Sequence, residues 1–313
     1  MIYIFGSMSK VVVVKFKSDQ RQRGLEQAEY EAMLATGLRA LAEEAQTQAA
    51  LRKYLPSGVI GMKTNCLARK MNPTPVALAD ALTNLLVKAG FAESDVVVWE
   101  RTNRELADAG YLLNSSGRSR RCMGTDTTGV GYSEEFYGSG EVNSLVSRII
   151  TEIVDYNINL PVLKDHSVAG LSAGMKNMYG AIHNPNKCHG NNCDPVCAHV
   201  NNLKPIKTKN RLTVIDAVRV QYQGGPGFIA DYVAYYGGVI LSDDPVAADR
   251  IGLEIVEHLR SVNGQPTLAR AGRPANYLKS AEKLGLGIAD LSRINLRVIG
   301  ADNKGKESAG ELF

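Results

Sequence analysis

The sequence predicts an α/β fold, a mostly parallel sheet with helices on both faces, in one large domain over residues 8–300. Three observations predict it. Short apolar runs rich in valine and isoleucine alternate with longer stretches of helical period. The runs are apolar throughout rather than at every second residue, which fits strands covered on both faces. Polar residues fall just after these runs, where the carboxyl ends of parallel strands open onto a binding crevice.

The elements follow in order. Val11–Phe16 reads as a buried strand. A helical pattern rich in Ala, Leu, Glu and Gln runs from about Leu25 to Leu55, stopped by Pro56, Ser57 and Gly58. Val59–Lys63 is a second strand. Thr74 as N-cap and Pro75 at the first helical position then open a helix that ends at Gly90. Asp95–Trp99 is a third strand with Glu100 at its carboxyl end. From Arg118 to Gly140 the chain is rich in Gly, Ser and Thr without a period, a long excursion or lid. Glu141–Ile150 reads as a helix and Leu160–Leu163 as a strand. Beyond a His/Cys-rich loop come strands at Leu212–Ile215, ending at Asp216, and Val239–Leu241. Asp244 caps a helix from about Val246 to Arg260, and a helix near Asn276–Leu284 and the strand Ile294–Ile299 close the fold. Residues 1–7 read as an upstream start or expression scar ahead of Met8, and 301–313 as a polar, frayed tail.

Bulk properties narrow the function. With 44% hydrophobic and 22% charged residues the chain is an ordinary globular one. It has no run of 18 apolar residues, so no transmembrane helix is expected. Five cysteines are an odd number, and no export signal is legible. Reduced thiols and a cytoplasmic location are therefore expected. The net charge of +4 is mild, and the basic clusters around Arg120 and Lys207 lack interleaved aromatics. Nucleic acid is not an expected partner. Neither Gly-x-Gly-x-x-Gly after a strand nor a P-loop occurs, so no nucleotide cofactor is indicated.

Four of the five histidines and three of the five cysteines lie between His166 and His199. Cys188, Cys193 and Cys197 are spaced Cys-x4-Cys-x3-Cys. Such soft ligands suit an iron–sulfur cluster, in which they would take three corners of [4Fe–4S] and Cys66 would be the best remote fourth. The same thiolates with His189 or His199 would make a Cys3His zinc site. Buried thiols acting as small hydrophobes are the plain alternative. Lys63, Lys164 and Lys176 suggest an anion-binding pocket in which neighbouring ammonium groups ready one another as a base. The expected catalytic groups are Lys164, His166, Lys176 and Glu100. Lys63, Asn65, Asn177 and Asp216 would bind substrate.

These residues also carry a family resemblance. Lys63-Thr64-Asn65 followed by Thr74-Pro75, then Lys164 with His166, Lys176-Asn177 with Gly180, and Asp216 with Gly224-Gly225-Pro226 and Ser242 to Asp249 form an ordered series. The series resembles the DUF362 family over nearly the whole chain, from Val11 to Ile299. The resemblance implies a shared pocket and, because members sometimes occur in iron–sulfur proteins, a link to redox chemistry. It supplies no reaction, and this chain lacks a Cys-x2-Cys-x2-Cys ferredoxin run. The leading expectation is a cluster-binding oxidoreductase acting on a small anionic metabolite with an electron-transfer partner. The alternatives are a metal-free or zinc-dependent enzyme using the Lys/His pocket on a carboxylate or phosphate, and a non-catalytic cluster or metal carrier. A homo-oligomer is compatible with the size, although nothing in the sequence marks an interface.

Overall fold

The computed structural model describes residues 8–16, 24–301 and 307–313. In chain order the first half holds β1 (Ser9–Phe16), α1 (Gln27–Ala42), α2 (Thr47–Tyr54), β2 (Ile60–Lys63), α3 (Val76–Lys88), β3 (Val96–Glu100), α4 (Asn103–Asp108), β4 (Arg121–Gly124), β5 (Tyr137–Ser139) and β6 (Val142–Ser144). Next come β7 (Tyr156–Asn159), β8 (Val162–His166), β9 (Gly170–Ser172), α5 (Gly174–Asn177), α6 (Val196–Asn202) and α7 (Lys204–Lys209). The chain finishes with β10 (Asn210–Gln221), β11 (Val233–Ser242), α8 (Pro245–Val262), α9 (Tyr277–Lys283), β12 (Ile294–Ala301) and β13 (Glu307–Ala309).

One eleven-stranded sheet organises them, in the order β13-β12-β1-β11-β10-β7-β2-β3-β4, with β8 branching from β10 and β9 from β8. The run from β10 through β7, β2 and β3 to β4 is parallel, as is β1 with β12. Only β11, set between β1 and β10, and the short β9 and β13 run against their neighbours. The mostly parallel sheet expected from the apolar runs is thus present.

The side-chain period of two in a strand divides β1 between two cores. Val12 and Val14 face Met33, Leu34 and Leu38 of α1, with Leu78 and Leu82 of α3 beyond. Val11 and Val13 face Ile251 and Ile255 of α8. A third cluster gathers Trp99, Met175, Met178 and Tyr277 beside the three cysteines of the His/Cys loop.

Several local expectations fail for identifiable reasons. The helix expected over Leu25–Leu55 is broken into α1 and α2, because Glu43 turns left-handed at φ 57° and its N–H closes onto Arg39 O. No glycine announces that turn. Thr74 does not cap α3, which follows Pro75. Its hydroxyl instead donates to Leu160 O at 2.6 Å and accepts from Asn65 N at 2.8 Å, tying the loop after β2 to the end of β7. The Glu141–Ile150 helix is replaced by β6 and a wide turn over Ile149–Ile153. The Gly/Ser/Thr-rich excursion is ordered and carries the sheet strand β4 and the hairpin strand β5. Glu307–Ala309 pairs onto β12 as an edge strand where a frayed tail is expected. Asp244 does cap α8, accepting from Val246 N and Ala247 N. The expected upstream start at residues 1–7 lies outside the described residues.

Candidate functional site

β2 and β3 end side by side, β8 branches from β10 towards the same cavity, and all three carry charge at their carboxyl ends. Lys63 closes β2, Glu100 closes β3, and β8 carries Lys164 and His166. They meet Lys176 and Asn177 of α5, the following Tyr179 and Gly180, and His189 from the His/Cys loop, around a cavity of about 610 Å³. Seven of the residues expected at the site therefore line one space: Lys63, Asn65, Glu100, Lys164, His166, Lys176 and Asn177. His189, expected as a metal ligand, joins them there.

The floor is a buried ion pair. Lys63 Nζ stands 2.6 Å from Glu100 Oε1, with the two side chains 1% and 6% exposed. The carboxylate also accepts from Arg101 N at 2.7 Å and Cys66 N at 3.1 Å. Glu100 is thus fully engaged as an anchor for Lys63. A Cβ added at Gly180 would lie 2.8 Å from both charged atoms, so only glycine lets this segment pass the pair.

Beside it runs a chain of amides. Lys164 Nζ donates to Asn65 Oδ1 at 2.8 Å, and Asn65 Nδ2 donates to Asn177 Oδ1 at 3.3 Å. Asn177 Nδ2 donates to Asn159 Oδ1 at 2.7 Å and Asn159 Nδ2 to Gly174 O at 2.7 Å. Because an ammonium only donates and a carbonyl only accepts, each amide orientation follows from its neighbour. Lys164 has no carboxylate partner among the described residues. Burial lowers its pKa to about 8.

The two histidines are held in opposite tautomers. His166 Nδ1 accepts from Val168 N and Ala169 N, both at 3.1 Å, which leaves the ring proton on Nε2. Burial first, then the charges of Lys176 and its neighbours, push its pKa down to about 3. In this tautomer His166 presents Nε2–H as a donor, while its Nδ1 lone pair is taken up by the two backbone amides. His189 Nδ1 lies 3.1 Å from Pro185 O and must donate there. Its Nε2 then accepts from Lys176 Nζ at 2.9 Å. Lys176 sits 3.5 Å above the Tyr179 ring, and burial lowers its pKa and that of His189. The two form a hydrogen-bonded dyad, and burial biases both members towards the neutral form.

Two other groups expected at the site lie elsewhere. Asp216 accepts from Tyr30 OH at 3.0 Å and lines a separate, smaller cavity behind the loop that follows β2. Cys66 is packed in the α1/α3 core, whereas Cys188, Cys193 and Cys197 share the third cluster. Those three thiols surround Lys176 closely enough to act on its pKa, and left-handed Asn191, Asn192 and Cys193 turn the loop to bury them. Burial raises the pKa of all three, favouring the thiol. Among the described residues no three of His, Cys, Asp and Glu are arranged to share a metal ion.

Other supporting residues have roles that the sequence does not show. Asn159 gives no signal beyond ending a strand. Asp249, buried in α8, accepts from Gly174 N at 2.6 Å and Met175 N at 3.0 Å and so fixes α5 from behind. Burial pushes its pKa up to about 7 against those two bonds. Arg101 and Glu105 pair at 2.7 Å on the cavity wall, an i,i+4 spacing that the unpredicted α4 makes possible.

Fold and site together define an α/β protein with a cationic, asparagine-lined cavity at the carboxyl ends of its parallel strands. The chain belongs to the family described as a domain of unknown function, DUF362, with a match over residues 60–254 that includes every cavity group named above. No curated protein matches it. Among solved structures it is similar to a crystal structure of a Thermotoga maritima protein, at 12% identity and a TM-score of 0.39. That likeness covers 75% of this chain and 59% of the other, and is too distant to carry an assignment. Among the described residues no helix is long and apolar enough to cross a membrane.

Proposed function

We propose that the cavity binds a small carboxylate or phosphate metabolite and that the Lys176–His189 dyad moves a proton on it. One observation carries the reading. Of the cavity's cations, Lys63 is neutralised by Glu100 and Arg101 by Glu105, while Lys164 and Lys176 have no carboxylate partner among the described residues. Two buried ammonium groups without counter-charge are costly until an anion joins them. Their lowered pKa values express that cost. An arriving anion would supply the missing counter-charge and hold Lys164 as the ammonium, and His166 Nε2–H would supply a neutral hydrogen bond. The dyad, poised between amine and imidazole, would take or give the proton.

Titration with inorganic phosphate and with acetate, followed by calorimetry, tests this. Saturable binding of either probe that weakens at least ~10-fold in Lys164→Ala is expected, the size of one lost charge-assisted contact. Failure of both probes to saturate, or unchanged affinity in Lys164→Ala, would overturn the reading.

A second reading keeps the cluster-dependent redox role. Its support is the convergence of three buried thiols on the Lys176 ammonium, although the loop would have to rearrange to bring them onto one metal. Anaerobic purification giving stoichiometric iron and sulfide, lost in Cys193→Ala, would favour it over the first. Zinc alone would point to Lewis-acid chemistry.

A further inference from the structure

Asp216 draws attention to a second cavity, of about 240 Å³, between α1, the loop after β2 and the middle of β10. Its carboxylate is 3% exposed, and its hydrogen bonds, from Tyr30 OH at 3.0 Å and Val218 N at 3.3 Å, both end on Oδ1. Oδ2 receives none from the described residues. Across the cavity Asn72 is 7% exposed, and its amide Nδ2 has no partner among the described residues. A buried amide donor left without a partner, beside a carboxylate oxygen that opens onto the same small space, is unusual in a folded chain.

The rim adds the opposite sign. Lys70 and Arg219 line the same cavity, and neither is ion-paired among the described residues. Arg219 is close enough to act on Asp216 electrostatically. Pro73, Pro75 and Val218 supply apolar wall between the charges. A ligand matching this lining carries a donor, best a cation, for Asp216 and an anion for Asn72, Lys70 and Arg219, on a short apolar body.

We propose that this cavity is a second binding site, distinct from the lysine-lined one, and that it takes a small amphoteric molecule of the amino-acid type. The ammonium group sits on Asp216 Oδ2, the carboxylate lies between the Asn72 amide and Arg219, and the side chain covers the prolines. The loop carrying Lys70 to Pro75 separates this space from the first cavity, so the two sites can be filled independently.

L-Leucine, with 4-methylpentanoate and 3-methylbutylamine as analogues lacking one charge each, probes the site by calorimetry on the whole protein. Leucine should bind saturably and at least ~10-fold more tightly than either analogue, since each end loses a charge-assisted bond. Asp216→Asn should abolish the advantage over the carboxylate analogue, and Arg219→Ala the advantage over the amine. Arg219 is half-exposed, so its variant remains informative even if Asp216→Asn fails to fold. Absence of saturable leucine binding, equal binding of an analogue, or leucine affinity unchanged in Arg219→Ala would overturn the proposal.

Discussion

The two halves of the large cavity are built on different principles. The half borne by strand ends, with Lys63, Glu100, Asn65 and Lys164, is a lattice in which nearly every polar atom already has a partner. The half borne by the segment from α5 to the His/Cys loop, with Lys176, Tyr179 and His189, keeps two basic groups against each other and lacks a carboxylate. The sheet side is thus a closed hydrogen-bonded frame, and the side from α5 to the His/Cys loop carries the basic groups without counter-charge, the arrangement expected when a scaffold positions loops.

The sharpest way to break this contrast is to attack the sheet side. Lys63→Met leaves Glu100 buried and uncompensated, and should cost about 3–5 kcal/mol in urea unfolding. A loss below 1 kcal/mol would mean that the pair is not the anchor it resembles. The corresponding support of the loop side is Asp249. Asp249→Ala strands the Gly174 and Met175 amides and should cost about 1–3 kcal/mol for each unsatisfied donor. Anion binding should weaken with it, because α5 carries Lys176.

A subtler probe is pH. Lys164, depressed by burial to about 8, holds a bound anion only as the ammonium. Raising pH through 8 therefore removes the charge in the free protein, and phosphate affinity should fall across that range. In Lys164→Ala the component of this dependence centred near 8 should disappear. An unaltered profile in that variant would assign the titration to Lys176 or the anion itself. The smallest effect is expected at Cys193→Ala, where loss of one buried sulfur should cost about 1 kcal/mol and leave anion affinity unchanged. A loss of binding as large as that in Lys164→Ala would bring the thiols into the site after all.

The same contrast explains what could be read from the sequence. Lys63, Glu100 and Lys164 follow apolar runs, and position at a strand end is enough to bring them together. Lys176 and Asn177 were legible as a polar pair, yet their placement depends on Asp249 and Asn159, whose partners are distant in sequence. Asp216 also ends an apolar run, which groups it with the others in the sequence. β10 continues past it to Gln221, so its side chain emerges in mid-strand beside α1 and Tyr30 rather than at a strand mouth. The cysteine spacing suggested convergence. The path that buries the thiols in the third cluster depends on left-handed residues at Asn191, Asn192 and Cys193, which the spacing does not encode. His166 shows the limit most clearly, since only the backbone amides of Val168 and Ala169 decide its tautomer.

The place of β1 has a consequence for how the molecule is made. Its two neighbours are β11, where Val12 meets Leu241, and β12, where Val13 meets Val298. β1 therefore finds both partners only after the strands that lie between it and them in the chain have been made. The parallel run from β7 to β4 can assemble much earlier, so during synthesis Val11 to Val14 remain an unpaired apolar edge of the kind that invites chaperones or aggregation. Loop-closure entropy makes this late joining slow as well. The large cavity, framed by strands of the earlier-forming half and with its α5 held from behind by Asp249 of α8, reaches its final shape at the end of that wait.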